Sequence, residues 1–139
     1  MITDAHGLPL LVHTTPANVR DEQPVLAMVQ GLPSIQGPRG RPRHKPKAFA
    51  GDRGYGFPWI IAAVRAMKIT SLLDPRGAAH GSGLGKVRYV VERTMAWFGN
   101  WRRLRLCYEK TPAHWQAYNE LAACMICFRR FQRLTTVMK

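Results

Sequence analysis

Two acids stand where a carboxylate could meet a metal ion. Asp52 lies in Gly51-Asp52-Arg53-Gly54-Tyr55-Gly56, directly after the apolar stretch Ala48-Phe49-Ala50. Glu92 is the one acid of residues 81–106, GSGLGKVRYVVERTMAWFGNWRRLRL, where it stands among five arginines. Carboxylate oxygens are hard donors of the kind that Mg²⁺ and Mn²⁺ prefer. An Asp at the end of a strand, before a Gly-rich turn, leaves its carboxylate open while the glycines let the backbone curl away. The same string also describes an ordinary Asp-Gly turn with no ligand. Glu92 has two roles open to it as well. One turn after Arg88, it can form an i, i+4 pair on a solvated face, worth roughly 0.2–0.5 kcal/mol. Alternatively it is a metal-binding acid beside a phosphate-binding surface.

The elements that carry these acids follow from spacing. Gly81, Gly83 and Gly85 around Ser82 make a flexible lead-in. From Val87 the pattern is helical, with Val87, Val90, Val91, Thr94, Trp97, Phe98 and Trp101 on one face at intervals of three and four. At roughly 100° per residue, Arg88, Glu92, Gly99 and Arg103 fall on a different stripe, so Glu92 points away from the apolar face. Residues 47–51 predict a short buried strand that ends at Asp52. Residues 58–67 predict a helix opened by Pro58, and residues 68–73 a second strand through Ile69, Leu72 and Leu73. Asp74-Pro75-Arg76-Gly77 is a turn leading into a loop that holds His80, to which no role is given.

The remaining segments frame this centre. Residues 2–15 predict a β-hairpin: Ile2 and Thr3, a turn at Asp4-Ala5-His6-Gly7, then an extended apolar run. Thr15-Pro16-Ala17-Asn18 is a loop. Residues 21–32 predict a short helix on Val25, Leu26, Val29 and Leu32, with Asp21 and Glu22 as acids of its first turn. In residues 33–47, Arg39, Arg41, Arg43, Lys45 and Lys47 alternate with Gly, Pro and His. Prolines and glycines forbid a packed helix there, so the charges stay solvated and suit contacts to phosphates. Arg102, Arg103 and Arg105 form a second basic run. Thr111-Pro112 caps a last helix over residues 113–134, with Trp115, Tyr118, Leu121, Ala122, Met125, Phe128 and Phe131 as its apolar stripe. This helix is expected to pack on the Glu92 helix as scaffold.

The bulk numbers narrow the partner. A chain of 139 residues with 46% hydrophobic content supports one domain with one modest core. Lys and Arg number 21 against 8 Asp and Glu, for a net charge of +13. That balance points to a polyanion, and nucleic acid is favoured over an anionic membrane surface. No run of about eighteen apolar residues exists to span a bilayer, and no signal peptide opens the chain. A cytoplasmic, nucleoid-associated location is expected. Cys124-x-x-Cys127 falls in an apolar helical segment with no second ligand pair at zinc spacing, so core packing is expected for it.

The string GLGKVRYVVERTMAWFGNWRRLRLCYEK resembles the C-terminal signature of DDE transposases of bacterial insertion sequences, in the group called insertion-sequence family five. DAHGLPLLVHTTPANVRD, GPRGRPRHKPK and AGDRGYG resemble further segments of that family in the same order. The resemblance implies an α/β fold with an RNase H-like catalytic core, here truncated at the N-terminus. It implies that Asp52 and Glu92 match the second and third of three catalytic, metal-binding acids, with Mg²⁺ or Mn²⁺ as cofactor. Two such ions activate a water or 3′-hydroxyl and stabilise the leaving oxygen of an in-line displacement. Arg88 matches the arginine of the signature Tyr-x2-Arg-x3-Glu-x6-Lys, whereas its Tyr and Lys positions are Gly85 and Gly99 here. Arg88, Arg93, Arg102 and Arg103, with Arg39, Arg41, Arg43 and Lys45, are the candidate DNA contacts.

The family's first catalytic Asp sits on an opening strand upstream of the hairpin, and Asp4, in the hairpin turn, does not match it. The expected activity is therefore metal-dependent DNA nicking and joining by a C-terminal portion that is inactive alone. The expected partners are element ends and target DNA, with an upstream reading-frame product or a second copy of the chain also allowed, and no membrane. The alternative is a non-catalytic, basic DNA-binding remnant. A basic RNA-associated protein is a third class, but its signature, exposed aromatics on a sheet, is missing from the pattern.

Overall fold

The computed structural model describes residues 1–37, 39–77 and 85–137; of residues 85–88 and 137 only the helical backbone is described. His80 and the glycines Gly81 and Gly83 lie outside the described residues. The chain divides into two compact units, Met1–Asn18 with Val90–Lys139, and Val19–Tyr89.

In the first unit, β1 (Ile2–Thr3) pairs antiparallel with β2 (Pro9–Leu11), with a register irregularity between Ile2 and Thr3. The hairpin is the expected one, and Asp4 shapes its turn: Oδ1 accepts from the His6 and Leu8 amides at 2.9 and 2.8 Å. The paired part of the second strand is shorter than the apolar run, because two residues of β1 can partner only so much backbone. Beyond Leu11, Gln116 takes over. Its Nε2 donates to the Val12 carbonyl at 2.8 Å, and its Oε1 accepts from the Thr14 amide and hydroxyl, each at 2.8 Å.

The second unit holds α1 (Val25–Gln30), β3 (Ala48–Ala50), α2 (Pro58–Ala66) and β4 (Thr70–Leu72). β3 and β4 are parallel, with Ala48, Phe49 and Ala50 opposite Thr70, Ser71 and Leu72, and α2 makes the crossover between them. Parallel neighbours need such a crossover. Ile60 and Val64, one turn apart on α2, are fully buried. Val25, Met28 and Val29 of α1, together with Ile69 and Leu73, complete this core. Pro58 opens α2 at a position where a missing N–H costs nothing. α1 is shorter than the pattern predicts: Pro24 occupies the cap, and Asp21 and Glu22 lie in a preceding turn rather than the first helical turn. β3 is also less buried than predicted. Ala48 is exposed and Phe49 and Ala50 are half-buried, since among the described residues β3 pairs with β4 alone.

α3 (Gly85–Gly99) starts two residues before the expected Val87; it is followed by α4 (Arg102–Arg105) and α5 (Pro112–Val137). Phe98 of α3 is buried with Ala122 and Ile126 of α5, with Met1, Val12, Trp97, Trp101, Leu104 and Ala123 around them. The last helix therefore does pack on the Glu92 helix. Its buried stripe differs from the predicted one: Ala122 and Ile126 face inward, while Leu121, Phe128 and Phe131 are exposed. Val91 of α3 also lies on the rim rather than inside. Cys127 is half-buried, whereas Cys124 is exposed, which corrects the expectation that both pack in the core.

Candidate functional site

Asp52 stands just past the C-terminal end of β3, in extended backbone, as the cap of a 3₁₀ turn over Arg53–Tyr55. Its Oδ1 accepts from the Gly54 amide at 2.9 Å, so the turn chemistry and the exposed carboxylate coexist in one residue. Gly56 is buried against the turn after β4. A Cβ there would overlap the Asp74 carbonyl oxygen, and the Gly56 carbonyl accepts from the Arg76 amide at 3.2 Å. The two loops that follow the paired strand ends are thus locked together. Arg53 adds an ion pair to Asp74 at 4.0 Å, and the Arg76 guanidinium lies 4.3 Å from the Phe57 ring centre. Tyr55 is packed under this turn; burial, then the negative charges of Asp21, Asp52 and Glu22, push its phenol above the ordinary 10.0.

Glu92 is exposed on α3, on the face opposite Thr94, as the stripe predicts. Thr94 is fully buried. Its hydroxyl lies 2.7 Å from the Gly7 carbonyl and 3.0 Å from the Val90 carbonyl. Next to it, Arg93 Nη2 donates to the His6 carbonyl at 2.7 Å, and its guanidinium lies 5.2 Å from the Trp97 ring centre. The two residues after Glu92 therefore clasp the hairpin turn. Gly7 is adapted to that clasp: its φ is +84°, and a Cβ would sit 2.7 Å from the Thr94 hydroxyl. The clasp was not legible in the sequence, because nothing in the spacing of Arg93 and Thr94 points to residues 6 and 7.

The candidate cations divide by what they touch. Arg39, Arg41, Arg43 and Lys45 are all exposed on the Pro/Gly loop, as expected. The loop is not wholly free: an antiparallel bridge joins Ile35 and Arg43, and Lys45 Nζ donates to the Met67 carbonyl at 3.3 Å. Arg102 is exposed. Arg103 donates to the Tyr118 hydroxyl and pairs with Glu109 at 3.3 Å, so it braces α4 on α5. The side chain of Arg88, and with it the Arg88–Glu92 pair, lies outside the described residues.

For a divalent cation the donor chemistry fits: Asp52 and Glu92 both offer exposed carboxylate oxygen. Among the described residues no three His, Cys, Asp or Glu side chains come together, and Asp52 and Glu92 belong to different units. No helix of the described residues is long and apolar enough to cross a membrane.

Residues 1–128 match the family described as Transposase DDE domain. The chain is 40% identical over 133 residues to the transposase assigned to insertion sequence element IS402 of Burkholderia cepacia. That alignment takes in 96% of this chain and 63% of the relative, so the chain spans less than two thirds of that protein's length. No solved structure matches. With a mixed α/β architecture, a family match over nearly its whole length and this degree of identity, the chain belongs to the DDE transposases of insertion sequences.

Proposed function

We infer that the chain is part of an enzyme that nicks and joins DNA strands in the transposition of an insertion sequence, with Asp52 and Glu92 as ligands of Mg²⁺ or Mn²⁺. The observation that carries this is the exposure of both carboxylates on formed elements, within the residues matched to the transposase domain. A divalent ion supplies charge stabilisation at a phosphoryl oxygen and an activated water or 3′-hydroxyl. The Gly54 amide fixes the Asp52 carboxylate at the strand end, and the Arg93–Thr94 clasp fixes the helix that carries Glu92. The β3–α2–β4 crossover is then one part of an RNase H-like core. The exposed loop cations, with Arg88 and Arg102 nearer Glu92 in sequence, neutralise DNA phosphates, while Arg93 holds the hairpin turn and Arg103 braces α4 on α5.

The family's chemistry also uses a first catalytic Asp, and Asp4, whose carboxylate is held in the hairpin turn, is not a match for it. DNA binding with little or no strand transfer is expected from the chain alone. An upstream polypeptide carrying that acid should restore metal-dependent nicking of element ends in the nucleoid-bound complex. A non-catalytic DNA-binding remnant is the second reading, supported by the net charge of +13 and the exposed loop cations, which suit phosphates without any metal.

The experiment measures duplex binding, Mn²⁺ binding by electron paramagnetic resonance, and nicking after complementation. Asp52→Asn and Glu92→Gln should weaken Mn²⁺ binding and abolish complemented nicking while duplex affinity stays. Unchanged Mn²⁺ binding in both variants, with no nicking in any mixture, would establish the remnant instead.

A further inference from the structure

Past Ile126 and Cys127, every side chain of α5 through Thr136 is exposed. This stretch reads Phe128-Arg129-Arg130-Phe131-Gln132-Arg133-Leu134. Its large apolar groups stand in water: Phe128 is 54% exposed, Phe131 63% and Leu134 51%. They follow one another at three-residue steps, so they form one row along the helix surface, with neighbouring Cβ atoms roughly 5–6 Å apart. Arg130 and Arg133 form a parallel row beside it, and Leu134 stands one turn after Arg130. Arg129, at the root, lies 5.2 Å from the Trp101 ring centre and ties the start of the stretch to the packed part of the unit. No acid follows Glu120 to the end of the chain.

Two exposed rings flanked by cations, with no acid nearby, match a strand of unpaired bases on a phosphate backbone better than an uncharged protein groove. Aromatic faces stack bases of any sequence, and arginines alongside neutralise the backbone that links them. A second copy of this chain would bring the same arginines against each other. We propose that the last turns of α5 are a platform for single-stranded DNA, with Phe128 and Phe131 stacking unpaired bases and Arg130 and Arg133 on their phosphates. This rests on DNA being the partner and adds the form of DNA held: the unpaired bases that nicking and joining expose.

The test uses the intact chain and two labelled probes, an oligothymidylate and a hairpin duplex of equal length. Phe128→Leu with Phe131→Leu keeps the surface apolar but removes the rings, and both positions are exposed, so the fold is spared. Oligothymidylate affinity should fall at least about tenfold while duplex affinity holds. Arg130→Gln with Arg133→Gln should lower the slope of log affinity against log salt on the oligothymidylate by roughly 1.4. Equal affinity of the leucine variant and the parent for oligothymidylate overturns the proposal, as does an equal loss on both probes. Phosphatidylglycerol vesicles that bind the parent and the leucine variant alike, with no oligothymidylate bound, would assign the face to membrane. Concentration-dependent dimerisation lost in the leucine variant, again without oligothymidylate binding, would assign it to a second copy. Failure of the parent to bind either probe would sink DNA as the partner altogether, an outcome distinct from losing the single-strand preference alone.

Discussion

Glu92 and Thr94 are two residues apart on α3 and face opposite ways, since two steps of roughly 100° bring them to opposite sides of the helix. One is in water; the other is buried against the hairpin turn. Thr94→Val keeps the shape but leaves the buried Gly7 carbonyl without the Thr94 hydroxyl, which costs about 1–3 kcal/mol. Urea unfolding followed by tryptophan fluorescence reads that loss, since Trp97, Trp101 and Trp115 belong to the same unit. On the other unit Tyr55 reports on Asp52. Its phenol is raised by burial first and by carboxylates second, so it should ionise above its ordinary 10.0. The stability it carries is present below the unfolded value and is lost as pH rises through the folded one. Asp52→Asn removes one of the raising charges, so Tyr55 should ionise at a lower pH, read by phenolate absorbance. An unmoved titration would mean that the Asp52 charge does not act on the ring.

At the scale of elements, α2 is the pivot of the second unit. It buries Ile60 and Val64 completely and makes the crossover that lets β3 and β4 run parallel. Ile60→Ala should cost about 2–5 kcal/mol, because a close-packed site relaxes only in part around the cavity. Asp52 and Asp74 both follow the ends of these paired strands, so the loss should also disorder the turn that orients the Asp52 carboxylate. Trp59 fluorescence during unfolding measures it, since Trp59 lies on the same helix. α5 shows the limit of reading periodicity. Its sequence offers two apolar rows, one through Ala122 and Ile126 and one through Leu121, Phe128 and Phe131. Either row is a valid helical face, so spacing alone could not choose which one meets Phe98 of α3.

Over the whole molecule, the charge of +13 is concentrated where packing cannot absorb it. Arg39, Arg41, Arg43 and Lys45 are all exposed on their loop, which is pinned by the Ile35–Arg43 bridge. Replacing these four by Gln should weaken duplex binding uniformly across sequences. Each phosphate that is no longer neutralised lowers the salt slope by roughly 0.9. The expected fall is roughly 3 to 4 in all, with the smallest share from Lys45, whose ammonium already bonds to the Met67 carbonyl. Fluorescence anisotropy at several salt concentrations measures it; an unchanged slope would remove the loop from the DNA surface.

The sequence by itself determined the order of the main elements, though not the short α4, together with the family, the exposed loop cations and the opposite faces of Thr94 and Glu92. Those features are local, set by helical period, by proline and glycine, and by charge density. Tertiary structure decided what no local rule contains. The Arg93–Thr94 clasp joins residues 6 and 7 to a helix 87 positions away, through the Thr94–Gly7 and Arg93–His6 hydrogen bonds. Gln116 holds the strand that β1 is too short to pair. Arg103 turned from a free cation of the basic run into a brace on Tyr118 and Glu109. In each case the partner is set by the close approach of two elements rather than by local spacing, and at Thr94, which is fully buried, that approach removes water and demands a hydrogen-bond partner.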